Sequence, residues 1–178
     1  SAHTDRVFEA TLSRLVSEGA VLVALDGPGE QTLMDIAQLE AASLRSEFKA
    51  AIEVYLSGAP EGVAIRSLAD LVAFNKAEPR ELALFGQEVL EAALTAPALD
   101  DPEYVRWRQA ARASARETLD QMLDSHGLAA IIAPTAGPAP IVDPVNGSQF
   151  HGSVSSLPAV SGYPHLTVPN RKSTRLNS

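Results

Sequence analysis

Between Leu128 and Pro169 the chain reads LAAIIAPTAGPAPIVDPVNGSQFHGSVSSLPAVSGYPHLTVP, and this stretch limits the choice of fold more than any other. Ala129–Ala133 is a short apolar run of the kind that forms a buried strand. Pro134 ends it, because proline brings no N–H to a sheet. A Pro/Gly-rich loop follows, then a Ser-rich turn over Ser153–Ser156 and a short apolar segment, Leu157–Val160, closed by Gly162. His165–Val168 is a second strand-like run, stopped by Pro169. Strand, crossover and strand in that order predict a parallel α/β sheet. Polar loops at strand ends are where such sheets hold their ligands.

The rest of the chain is mostly helical in pattern. Thr4-Asp5 suits a helix start, with Val7, Phe8, Leu12, Leu15 and Val16 on one face and Gly19 at its end. Ala20–Leu25 reads as a third buried strand, and Asp26–Gly29 as a turn. A long helix is predicted from Leu33 to Leu56, with Ala37, Ala41, Leu44, Phe48, Ile52 and Tyr55 as its apolar seam, ending at Ser57-Gly58-Ala59-Pro60. Ser67-x-x-Asp70 is a partial capping box for a helix to Ala77. Leu82, Phe85, Val89 and Ala93 mark a further helix ending before Pro97. Asp101-Pro102 is an N-cap and N1 pair opening a helix to about Asp124. Val105, Ala111, Leu119 and Met122 are its inward candidates, and His126-Gly127 fits its end. The expected class is α/β, helix-rich, with a few mostly parallel strands. Three strands are too few for a doubly wound domain covered on both faces, and suit an incomplete central sheet.

Composition excludes several functions. The net charge of −8 leaves no basic surface for nucleic acid or an anionic membrane. There is no cysteine, hence no thiol nucleophile, disulfide or cysteine-based zinc site. No apolar run reaches the roughly 20 residues of a membrane span. The first residues lack the basic and apolar regions of a signal peptide, so a cytoplasmic setting is expected.

Candidate site residues gather in the Ser-rich loop. Ser153, Ser155 and Ser156 offer hydroxyls and backbone amides to a polar pocket, with His151 beside them. Ordinary loop and N-cap serines are the commoner explanation of such a run. A serine nucleophile needs a positioned base. Lys49 and Lys76 both fall on helical stretches and no pattern links them to the serines. His3, His126, His151 and His165 have no metal-ligand spacing. Gly27-Pro28-Gly29 is not a dinucleotide fingerprint. Tyr55, Phe74, Phe85, Tyr104 and Trp107 lie where helix cores are expected.

Ala133-Pro134-Thr135, followed by Pro158-Ala-Val-Ser-Gly-Tyr-Pro-His-Leu-Thr-Val-Pro169, resembles the C-terminal part of amidase signature enzymes. Ser67-Leu-Ala-Asp-Leu-Val-Ala-Phe-Asn75 and Phe85-Gly-Gln-Glu88 resemble one bacterial subgroup of the same family. The likeness runs from about Phe8 to Pro169. It implies a parent that hydrolyses a small-molecule carboxylic amide without metal or cofactor. In that family a serine attacks the carbonyl, and a second serine and a lysine relay the proton. None of these three maps onto this sequence, so no residue here is assigned as catalytic. The resemblance also implies that this piece supplies late sheet strands and pocket walls. A transamidase-type member of the superfamily acting on another amide is a further possibility. The rival expectation is a self-contained, non-catalytic helical binding or scaffold domain.

The final residues, Arg171–Ser178, are polar and basic after a run that should continue as buried structure. They resemble a translated sequencing adapter and are read as a non-native tail, with residues 1–170 as the domain fragment; the alternative is a natural basic tail. Asn170 stands where the family pattern has Met.

Overall fold

The computed structural model describes residues 2–139, 143, 145–147 and 153–168. Its helices are α1 (Ala2–Ser17), α2 (Glu30–Ser57), α3 (Leu68–Ala77), α4 (Glu88–Leu94), α5 (Pro102–Asp124) and α6 (Ser156–Ser161). The chain divides into two compact units. One is Glu30–Ala111; the other joins Ser1–Gly29 to Arg112–Ser178. The helix α5 contributes its first part to the former and its second to the latter.

Local signals fix most helix ends. Ser67 caps α3: its hydroxyl accepts the Asp70 N–H at 3.0 Å. Asp70 answers by accepting the Arg66 N–H at 3.0 Å, one residue earlier than in a full capping box. That backbone bond, helped by the Ser67 hydroxyl, holds the Asp70 carboxyl below its usual pKa. Asp101 Oδ1 accepts the Glu103 N–H at 2.8 Å where α5 begins. Helices α1 and α5 both end in a paired C-terminal motif. Gly19 and Gly127 take left-handed φ of 94° and 60°. The following residues, Ala20 and Leu128, donate back to Leu15 O and Leu123 O at 3.0 and 2.9 Å.

In the Glu30–Ala111 unit the core lies where α2, α3 and α4 meet. Leu68, Val72 and Ala93 are buried together, with Ile52, Leu71, Leu90 and Leu94 packed against them. Polar side chains complete the joint. Buried Gln87 donates to Val72 O at 3.3 Å and accepts from Asn75 Nδ2 at 3.1 Å. Lys49 Nζ, from α2, donates to Leu94 O and Ala96 O at 3.0 and 2.9 Å. It thereby satisfies carbonyls that the end of α4 leaves without intrahelical partners. Buried Tyr104 donates to Glu47 Oε1 at 2.8 Å, and burial raises its phenol pKa.

Three expectations need correction. The seam of α2 is rotated. Its buried residues are Ile36, Ser43, Ser46 and Leu56, whereas Leu44, Phe48 and Tyr55 are exposed. Two serines thus face inward beside Ile36 and Leu56, and of the expected seam Ile52 packs against the core. The helix expected from Leu82 begins only at Glu88, leaving Leu82 and Phe85 in a loop. Gly86 stands just before the N-cap residue Gln87, and glycine is a poor helix former. Of the five helix aromatics, Tyr104 is buried and Trp107 half-buried, while Tyr55, Phe74 and Phe85 are exposed.

The third correction concerns the sheet. Ala20–Leu25, Ala129–Ala133 and His165–Val168 are all non-helical, yet none belongs to a strand ladder. The β-pairing among the described residues is one isolated antiparallel bridge, Ala136 to Ser153. An extended backbone becomes a strand only against a neighbour that takes up its N–H and C=O groups. Here the apolar side chains on two of these segments stay in the open: Val21 is 89% exposed and Leu166 84%.

Two substitutions test this core. Leu68→Ala should cost about 2–5 kcal/mol, the range for a large apolar side chain removed from a packed site. Ser46 is 1% exposed and its hydroxyl has no partner among the described residues. Ser46→Ala should therefore be neutral or stabilise by about 1 kcal/mol, since it removes a desolvated, unpaired hydroxyl. Denaturant midpoints of the two variants measure both effects.

Candidate functional site

The Ser-rich loop is held by the turn that follows Ala133. Val154 N–H and the Ser153 hydroxyl both donate to Thr135 O, each at 3.1 Å. Ser153 Oγ lies 2.7 Å from Ser155 Oγ, and the Ser155 N–H points at Ser153 Oγ at 3.2 Å. Thr135 Oγ1 lies 3.3 Å from Thr167 Oγ1, which brings the 165–168 segment to the same place. The fold thus gathers Thr135, Ser153, Ser155 and Thr167 from three separate stretches into one hydroxyl cluster.

Ser155 occupies the N-cap of α6 but makes no side-chain cap bond, so ordinary capping does not explain its side chain. Ser156 opens α6 and is exposed, with no side-chain hydrogen bond among the described residues. His151 lies outside the described residues, as do Asn170 and Arg171–Ser178. Among the described residues no lysine, histidine or carboxylate hydrogen-bonds to Ser153 or Ser155. Lys49 holds the end of α4, and Lys76 pairs with Glu91 at 2.8 Å. The cluster can bind and orient a polar group, but among the described residues no base stands beside it to turn a hydroxyl into a nucleophile. No group of acidic or histidine residues able to hold a metal occurs among the described residues, and no described helix is long and apolar enough to cross a membrane.

A second constellation anchors the loop from behind. Arg116 Nε, on α5, donates to Ser161 O at 2.9 Å, and its guanidinium sits 5.4 Å from the centre of the Tyr163 ring. The Tyr163 hydroxyl donates to Asp120 Oδ1. Buried Ser161 donates to Pro158 O at 3.2 Å and accepts the Tyr163 N–H at 3.1 Å. Residues 158–163 are thus tied to α5 by Arg116 and Asp120, one helical turn apart. Thr135, Tyr163 and Thr167 lie within the family-like motifs of the sequence but carry no local mark of a site, and neither do Arg116 and Asp120. The i, i+4 spacing of Arg116 and Asp120 was visible, but it reads as an ordinary solvated pair.

A scan against protein-family models gives no match, and a search of curated proteins gives none either. Solved structures do match. Over 89% of its length the chain is 38% identical to a peptide amidase in complex with the competitive inhibitor chymostatin, with a TM-score of 0.75. It is 39% identical over the same share to the native peptide amidase from Stenotrophomonas maltophilia, with a TM-score of 0.71. The chain spans about a third of these enzymes, 32% and 31% of their respective lengths. Fold and sequence together are therefore similar to part of an amide hydrolase.

The anchor of the loop should show in alkaline stability. The bond to Asp120, then burial, raises the Tyr163 pKa above its ordinary 10.0. The folded state thus favours the protonated phenol. That contribution is complete below the unfolded pKa and is lost as pH rises through the folded one. Tyr163→Phe should have a lower melting midpoint than the parent at pH 8 and a shallower further loss above pH 10. Thermal melts between the two pH values check this, with Tyr104 common to both proteins.

Proposed function

We propose that this chain is a C-terminal portion of an amidase signature enzyme, a hydrolase that cleaves a carboxylic amide to an acid plus an amine or ammonia. The observation that carries the reading is the likeness to peptide amidase along 89% of the chain, at 38–39% identity and TM-scores of 0.71–0.75. A small peptide-like amide is the substrate class this favours. Residues 1–170 are the enzyme's own sequence and 171–178 a foreign tail. The whole enzyme acts in the cytoplasm and needs no cofactor.

In this reading the reactive serine, the second serine and the lysine lie in the part of the enzyme this chain does not include. Those groups attack the carbonyl, move the proton to the departing amine and leave an acyl-enzyme for water. The chain's own contribution is geometric. Thr135, Ser153, Ser155 and Thr167 present a polar wall, and Arg116 and Asp120 hold the α6 segment that carries part of it. The extended runs at 20–25, 129–133 and 165–168 support the same view. They expose apolar side chains and unpaired backbone edges of the kind that a larger sheet would cover.

The test is reconstitution. The chain is purified alone and together with the part of the Stenotrophomonas maltophilia peptide amidase that it does not match. Both samples are assayed on simple and peptide amides. The chain alone should give no turnover above background, and the mixture should give measurable turnover. Hydrolysis by the lone chain, abolished by Ser155→Ala or Ser156→Ala, would overturn the proposal. A mixture as inert as the chain alone would count against it.

A further inference from the structure

The hydroxyl cluster has a direction, and it follows from counting protons. A serine hydroxyl carries one proton and two lone pairs, and a carbonyl oxygen carries no proton at all. The 3.1 Å contact between Ser153 Oγ and Thr135 O therefore takes the Ser153 proton. The 2.7 Å contact between Ser153 and Ser155 must then be donated by Ser155. The Ser155 N–H, at 3.2 Å, occupies the remaining lone pair of Ser153. Ser153 is saturated: it donates once and accepts twice. Thr135 O is likewise engaged twice, by Ser153 and by the Val154 N–H.

Ser155 has committed its only proton, while its own oxygen accepts nothing among the described residues. The helix behind it does not use that oxygen, because the N-cap position makes no side-chain bond. The side chain is only half-buried, so a ligand can reach it. We infer that Ser155 Oγ is an acceptor-only contact that selects an N–H donor of the bound ligand, the amide N–H in the amidase reading on which this rests. A group that offers only a carbonyl oxygen meets lone pairs there instead of a proton. Ser155 is in this role a specificity-determining residue, and Ser153 positions its proton from behind. Ser156, with no side-chain bond of its own among the described residues, can turn either way and does not discriminate.

The experiment uses the full 178-residue chain and two probes in an NMR titration. Acetamide carries N–H donors and a carbonyl; N,N-dimethylacetamide carries only the carbonyl. Acetamide should shift the resonances of residues 153–156 and bind about three- to tenfold more tightly than the dimethyl compound, the range that one net hydrogen bond supplies. In Ser153→Ala the Ser155 proton is released from its partner, so the preference should fall to parity as dimethylacetamide gains affinity. In Ser155→Ala both probes should lose their effect on these residues. Unchanged resonances of Arg116, Asp120 and Tyr163, in the same unit as the serines, confirm that each variant is folded. Equal binding of the two probes to the parent chain, or no shift at Ser155 with either, overturns the inference. Reconstituted hydrolysis without this preference would leave the amidase reading standing and remove the inference alone. The preference without hydrolysis would do the reverse.

Discussion

A helix satisfies its own backbone, and an extended strand does not. That asymmetry governs this structure. Among the described residues the helices close their inner N–H and C=O groups internally, and several ends are finished by side chains such as Ser67 and Lys49 or by a glycine turn. The apolar runs at 20–25, 129–133 and 165–168 have no equivalent device. They stay extended, because prolines and β-branched residues disfavour helix, but no ladder forms. The same asymmetry explains why the packed core of Leu68, Val72 and Ala93 is entirely helical. It also accounts for the exposed apolar side chains of those runs, Val21 and Leu166 among them.

Helix boundaries were legible in the sequence wherever a chemical signal marked them. Ser67, Asp101-Pro102, Gly19 and Gly127 all act as their residue types suggest. The register of α2 was not legible. Periodicity alone favoured Leu44, Phe48 and Tyr55 as the inner face, but the buried positions are Ile36, Ser43, Ser46 and Leu56. Phe85 failed as a helix marker for a different reason: one glycine between it and Glu88 outweighs the apolar spacing.

The candidate site divides in the same way. Ser153, Ser155 and Ser156 drew attention as a local cluster, and two of them do bond to each other. Thr135 and Thr167 could not be found locally, because their place beside the serines depends on a turn and a loop coming together in space. Tyr163 and Asp120 are 43 residues apart and meet only when α6 is seated on α5. The likeness to peptide amidase adds a scale to this picture. The chain spans about a third of those enzymes' length.

The bond from Lys49 to the end of α4 has a consequence for how the molecule comes together. With seven residues, α4 is far shorter than the dozen or so that an isolated helix needs to persist in water. Its last carbonyls are answered by a side chain 45 and 47 positions earlier in the chain. The helix is therefore held by its neighbours rather than by its own turns. The shared core and the bonds of Gln87 to Val72 and Asn75 tie α4 to α3 as well, so opening of α4 is a shared event of all three helices.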